Sequence, residues 1–173
     1  MNKKKSVVIS KEEIREKTVE IGKKITKEYK DKELLVVSLL KGSFIFTADL
    51  VREIDLPIKI EFMTTSSYGS GETTSGSVQI VSDIKADIKG MDVLVVDDIM
   101  DSGLTMNVII EHLKSLNPNS VKSCVLLDKP DRRKVDITPD YCGFSISDVF
   151  IVGYGLNYGD YYRNVPYIFT FDD

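Results

Sequence analysis

Several strand-long stretches of this chain are almost wholly hydrophobic, among them "LLVVSLL" at 34–40, broken only by Ser38, "VLVV" at 93–96 and "CVLL" at 124–127. A strand with one face in water alternates apolar and polar residues, so an unbroken run belongs to a strand buried on both faces. The segments between the runs carry apolar residues at helical spacing. Ser10 with Glu13 forms a capping-box pattern, followed by Ile14, Thr18, Ile21, Ile25 and Tyr29; a helix from about Ser102 carries Met106, Ile109, Ile110, Leu113 and Leu116, and "NPN" ends it. Buried strands alternating with amphipathic helices specify an α/β chain with a mainly parallel central sheet flanked by helices. A further helix is expected over Phe44–Ile54, and further strands at "IKIEFMT" (58–64), "SVQIVSDI" (77–84), "YCGFSI", "VFIVGY" and "YIFTF".

The 173 residues suit one domain, and no repeat, low-complexity tract or linker divides them. Lys and Arg number 23 against 27 Asp and Glu, a net charge of −4, which offers no basic face for nucleic acid. Cys124 and Cys142 lack metal spacing and are expected to be reduced core thiols. The basic start "MNKKK" leads only into "VVI" before charge returns, so neither a signal peptide nor a membrane span is expected, and the protein is placed in the cytoplasm.

The segment "VLVVDDIMDSGLTM" (93–106) concentrates the chemistry. Ligands of open parallel sheets bind beyond the carboxyl ends of strands, and this strand ends in Asp97 and Asp98. The residues that follow turn into a helix whose first N–H groups have no intrahelical partner. Small residues let an anion approach, and Ser102 and Thr105 add hydroxyl donors. Phosphate donors beside carboxylates that can accept from sugar hydroxyls, or face hydrated Mg²⁺, describe a ribose 5-phosphate site. A solvated turn with an aspartate or serine N-cap is the bland alternative, but three acids against a buried strand repel unless a cation binds. A P-loop is excluded because no "GK[ST]" occurs. A receiver domain would need a longer chain after its "VLVVDD". The lone His112 is expected at a helix surface. From spacing alone Lys129 reads equally as a surface lysine or a cleft residue, Lys41 and Gly42 as part of the same sheet edge with a plain turn as the alternative, and Phe150 as core.

The loop resembles the phosphoribosyl pyrophosphate (PRPP) loop of type I phosphoribosyltransferases. "SLLKGSFIF", "TTSSYGSG", "LLDKPDRR" and "FIVGYGLNYGDYYRNVPYI" are similar to the hypoxanthine-guanine branch of that family over nearly the whole chain. The resemblance implies the type I fold with a small hood subdomain from both chain ends, and transfer of 5-phosphoribosyl from PRPP to N9 of hypoxanthine or guanine with Mg²⁺ as cofactor. It implies that Asp97 and Asp98 meet the ribose hydroxyls and Mg²⁺, that Ser102, Gly103, Leu104 and Thr105 surround the 5-phosphate, and that Asp101 is the general base. It further implies that Lys129 reads the purine's 6-oxo group, Phe150 stacks on the base, and Ile151 touches it through its backbone. Lys41, Gly42 and Arg163 bind pyrophosphate, with a Leu40–Lys41 peptide that can be cis. The polar stretch 65–76, with Ser67 and Tyr68, corresponds to a closing lid. The chain departs from the pattern at Asn157, where the family usually has an aspartate that helps hold a second Mg²⁺; the backbone contact to the purine at this position is unaffected. Homodimers or tetramers are implied, with no nucleic-acid or membrane partner. A xanthine-preferring relative and a non-catalytic PRPP sensor are the other readings.

Overall fold

The structure, a computed structural model, describes residues 3–68 and 77–172. In chain order the elements are β1 (Lys5–Ile9), α1 (Lys11–Glu28), β2 (Leu34–Leu40), α2 (Phe44–Arg52), β3 (Lys59–Tyr68), β4 (Ser77–Ser82), β5 (Asp92–Met100), α3 (Leu104–Lys114), β6 (Ser120–Asp128), a single 3-10 turn at Pro130–Arg132, β7 (Tyr141–Ser145) and β8 (Ile168–Phe171). Six strands form one sheet in the order β4-β3-β2-β5-β6-β7, parallel except for β4, and β1 pairs with β8 in a separate antiparallel ribbon.

The expectation of a sheet buried on both faces holds at the level of single residues. Val36, Leu94, Val96 and Leu126 pack with Ile14, Ile21, Ile25, Phe46 and Leu50 of α1 and α2. Their neighbours Leu35, Val37, Val93, Val95 and Val125 face the other way, against Met106, Ile109 and Leu113 of α3. Each fully buried aliphatic side chain of this kind contributes roughly 1.5–3 kcal/mol, and the buried serines of these strands, Ser38 of β2 and Ser123 of β6, are hydrogen-bonded. α1 begins as its sequence specifies: Ser10 N–H donates to Glu13 Oε2 at 2.8 Å, and Glu13 N–H donates to Ser10 Oγ at 3.1 Å.

Several expectations are corrected. β1 was not anticipated, since its "VVI" core is short and two of its residues, Val7 and Val8, stay exposed; its partner lies at the far end of the chain. "VFIVGY" forms no strand: Val152 makes an isolated bridge to Phe169, and the chain then turns through Gly153, Tyr154 and Gly155, all at positive φ. The polar stretch expected to loop from residue 65 stays in β3 as far as Tyr68, paired with β4 through Thr65↔Ile80 to Tyr68↔Ser77. Residues 69–76 of that expected lid lie outside the described residues. Cys124 is buried as expected, but Cys142 is exposed. Leu116 falls beyond the end of α3 and is half-exposed, and His112 is engaged with Asp83 at 2.7 Å.

Candidate functional site

Strand register sets the site. β5 and β6 run parallel and pair as far as Met100↔Asp128, so Asp101 and Lys129 emerge side by side. β2 pairs with β5 through Ser38↔Val96, which brings the end of β2 level with Asp98. The turn after β2 is pinned by a buried hydroxyl cluster: Ser38 Oγ lies 2.8 Å from both Ser43 Oγ and Thr47 Oγ1, and Ser43 Oγ also donates to the Leu39 carbonyl. The Leu40–Lys41 peptide in this turn is cis.

A cavity of about 190 Å³ opens at the end of β5, lined by Asp97, Ile99, Met100, Asp101, Ser102, Gly103, Thr105 and Met106. Gly103 stands just before α3 at φ +81, a conformation other residues resist, and a Cβ there would meet Ile137 Cγ2 at 2.5 Å. The N-cap, Gly103, has no side chain to offer; Leu104 N–H donates to Ser102 Oγ at 3.3 Å, and the next N–H groups of α3 are left as donors for an anion. Two of the three acids are unlike ordinary carboxylates. Burial and then the charge of Asp98 push Asp97 well above the usual carboxylate range, and burial raises Asp98 against opposing hydrogen bonds and the nearby Arg163 charge. Asp98 N–H donates to Asp97 Oδ1 at 2.9 Å and Ile99 N–H to Asp98 Oδ1 at 2.8 Å. Asp101 presents a buried Oδ1 with no hydrogen-bond partner among the described residues.

The opposite wall of the site is backbone. No Cβ would fit between Gly42 and the Asp98 carboxylate, nor between Gly155 and the Gly42 carbonyl, so the "KGS" turn, the acid loop and the 153–163 loop are in direct contact. Gly155, at φ +98, exchanges bonds with Arg163: its N–H donates to the Arg163 carbonyl at 2.9 Å, and Arg163 Nη1 donates to the Gly155 carbonyl at 2.6 Å. Tyr154, its neighbour, donates its hydroxyl to Asp49 of α2 and ties this loop to the helical layer.

Lys129 is only 8% exposed, which removes the surface reading of this residue. Its N–H donates to the Met100 carbonyl at 2.9 Å and its Nζ to the Val149 carbonyl at 2.7 Å, with Asp148 Oδ1 at 3.7 Å. Phe150, read as core from periodicity, is instead 59% exposed, steadied by an edge contact with Tyr158 whose ring in turn meets Phe171 of β8. Ile151 is buried. Asn157 is exposed, its amide donating to the Gly159 carbonyl at 2.6 Å, and Ser67 is exposed on β3. The acids, the start of α3, Lys129 and the Gly42–Arg163 wall are therefore gathered at one sheet edge; Asn157 and Ser67 have no described contact with the acids. Sequence reasoning missed Arg133. Its Nη1 donates to the Asp101 carbonyl at 2.7 Å and its Nη2 to Asp128 Oδ1 at 2.5 Å. The doublet "RR" was visible, but nothing local says which of its members turns inward.

The sequence profile of the phosphoribosyl transferase domain matches residues 10–159, and the chain belongs to that family. Hypoxanthine phosphoribosyltransferase of Salmonella typhimurium is 49% identical to it, over 94% of this chain and 92% of that protein. Hypoxanthine-guanine phosphoribosyltransferase of Aquifex aeolicus is 47% identical over 99% and 97%. Among solved structures, a hypoxanthine phosphoribosyltransferase of Staphylococcus aureus superposes with a TM-score of 0.93 at 44% identity, covering 96% of this chain and 91% of that one.

Proposed function

We propose that this protein is a purine-salvage transferase that moves the 5-phosphoribosyl group of PRPP to N9 of hypoxanthine or guanine, giving IMP or GMP and pyrophosphate. The observation that carries the reading is the emergence of Asp101 and Lys129 from adjacent paired strands, beside a small anion-sized cavity at the start of α3. Ser102, Gly103, Leu104 and Thr105 hold the 5-phosphate with backbone and hydroxyl donors. Asp97 and Asp98 accept from the ribose hydroxyls. Asp101, with one oxygen buried and unpaired, takes the purine N7 proton while N9 attacks the anomeric carbon. Lys129 donates to the 6-oxo oxygen; adenine's amino group cannot accept that bond, so the residue selects 6-oxopurines. Its ammonium has three donors, so the bond to Val149 need not be given up. The exposed Phe150 ring stacks on the base, and the backbone of Ile151 and Asn157 meets its edge. The Lys41–Gly42 backbone and the Arg163 guanidinium receive pyrophosphate, for which a planar fork of donors is well shaped.

The donor set suits Mg²⁺. Two carboxylates whose ionisation is opposed by burial, Asp97 also by the charge of Asp98, gain most from a hard divalent cation. No cluster of three or more His, Cys, Asp or Glu exists among the described residues to cage such an ion, so Asp97 and Asp98 would share it with substrate oxygens and water. Held there by Asp97 and Asp98, such an ion would neutralise phosphate charge. At the second position the neutral Asn157 is a weaker ligand than a carboxylate.

Ser67 and Tyr68, at the end of β3, are described residues of the stretch 65–76 that the family resemblance assigns to closing the site, and β1 with β8 forms the hood behind the base. Among the described residues no helix is long and apolar enough to cross a membrane; the enzyme works in the cytoplasm as a homodimer or tetramer.

The test is PRPP and Mg²⁺ with each of the four purines, following nucleoside monophosphate. IMP and GMP should form and AMP should not. XMP as the main product would move the enzyme to a xanthine-preferring type, and PRPP binding without any product would make it a sensor.

A further inference from the structure

Residues 128–134 fold back over the acid loop and hold it from behind. Arg133 is the centre of this contact. Its Nη2 meets Asp128 Oδ1 at 2.5 Å, with the two side chains 14% and 10% exposed, while Nη1 donates to the Asp101 carbonyl at 2.7 Å and approaches the Met100 carbonyl at 3.5 Å. Its aliphatic stem lies over Gly103, where a Cβ would come 3.0 Å from Arg133 Cδ. A nearly buried ion pair is weak evidence of stability, because desolvation offsets most of the attraction and an apolar pair would serve as well. What an apolar pair cannot do is present a planar fork that spans a carboxylate and two carbonyls in fixed directions.

We propose that Arg133, seated by Asp128, is a positioning residue for the transfer reaction: it fixes the 100–101 backbone so that the Asp101 carboxyl stands in register with Lys129. The inference rests on the proposed function. The Met100 carbonyl that Arg133 approaches also accepts the Lys129 N–H, so one peptide links base and purine reader. Asp101 Oδ1 has no partner of its own among the described residues, so its aim depends on the backbone behind it. The phosphate end of the loop is tied separately, by Lys134 N–H on the Ser102 carbonyl at 2.9 Å and Leu104 N–H on Ser102 Oγ. Losing the fork should therefore misalign the base while leaving the phosphate cradle assembled.

Wild-type protein is assayed first with PRPP, Mg²⁺ and hypoxanthine; no turnover there overturns the proposed function and leaves nothing for Arg133 to position. With an active wild type, Arg133→Met, which keeps the stem over Gly103, should lower kcat by roughly 10²-fold, the usual cost of a misplaced catalytic group. Ribose 5-phosphate affinity by calorimetry should stay within about threefold of wild type. Arg133→Lys should recover part of the lost rate. Asp128→Asn, which keeps shape and loses charge, should lower kcat about tenfold at unchanged ribose 5-phosphate affinity; it carries the test if Arg133→Met does not fold. Wild-type kcat in Arg133→Met or in Asp128→Asn overturns the inference. So does a loss of ribose 5-phosphate affinity as large as the loss of kcat, which would make Arg133 a structural support of the whole loop.

Discussion

Glu28 and Asp97 are both carboxylates against the central sheet, and the fold treats them in opposite ways. Glu28, at the end of α1, is met by Lys122 and by the Tyr141 hydroxyl, and these partners hold it below the usual carboxylate range. Asp97 is pushed well above that range, by burial first and then by another carboxylate for a neighbour. One cluster is satisfied within the protein; the other is not. On the function proposed above, the difference separates residues that hold the sheet to its helices from residues that would meet a substrate, and it implies that removing charge should cost rate at one end and stability at the other.

The sharpest break of that contrast is at Asp101. Asp101→Asn should lower kcat by about 10²–10⁴ with little change in PRPP affinity or in Tm, since only proton transfer is removed. Steady-state rates with chemistry shown to be limiting would check it, and an unaltered kcat would release Asp101 from the role. Next comes Lys129→Ala, expected to weaken hypoxanthine and guanine binding by roughly 2 kcal/mol, about 30-fold. Full 6-oxopurine affinity with adenine still refused would move selectivity elsewhere.

Asp97→Asn should act in two directions. Activity should fall, yet the ligand-free protein should become more stable at neutral pH by about 1 kcal/mol, or some 2–4 °C in Tm. The sign follows from linkage: a carboxyl whose folded pKa is raised binds its proton more tightly in the folded state. Its contribution is most favourable at low pH and is lost as pH rises from the unfolded carboxylate value through the folded one. The gain in Tm should accordingly grow with pH across that window; a variant less stable than wild type throughout it would refute the account of Asp97.

The smallest effect belongs to Glu28→Gln. Its lowered pKa stabilises the fold above the unfolded carboxylate value and ceases to do so as pH falls through the folded one. With the side chain 38% exposed, screening limits the loss at neutral pH to about 0.5 kcal/mol. Thermal melts of both proteins should converge on acidification. A difference that persists unchanged at low pH would mean the Lys122 pair contributes nothing.

Much of the site was legible because its chemistry is local. A buried strand, two acids, small residues and a helix start follow one another between Val93 and Met106, and no distant part of the chain alters what that order can bind. Lys129 stayed open from spacing even though its strand reads as buried; the family resemblance gave it a role, and the structure buries its side chain. The illegible parts depend on long-range partners. β1 has only a short apolar core and is defined by a strand at the other end of the chain, as the bond from Ser6 Oγ to Asp172 Oδ1 at 2.6 Å illustrates. "VFIVGY" has the composition of a strand, but the chain turns at Gly153–Gly155, where Tyr154 stands at φ 50 and gives its hydroxyl to Asp49, a partner that periodicity cannot reveal. Phe150 follows the same rule: an apolar residue left exposed is understood only from what would cover it.

The pairing of β1 with β8 also bears on how the protein is made. The sheet strands from β2 to β7 and the helices among them can be assembled from chain already synthesised, and they include the acid loop and Lys129. β1 leaves the ribosome before any of them and finds its partner only when Ile168–Phe171 have followed. Through most of synthesis a short apolar strand with open hydrogen-bonding edges is therefore in search of a mate, a condition that invites pairing with other nascent chains. The exposed lysines that precede and begin it, Lys3, Lys4 and Lys5, put like charges beside that edge, so that two such strands on neighbouring chains repel before they can join.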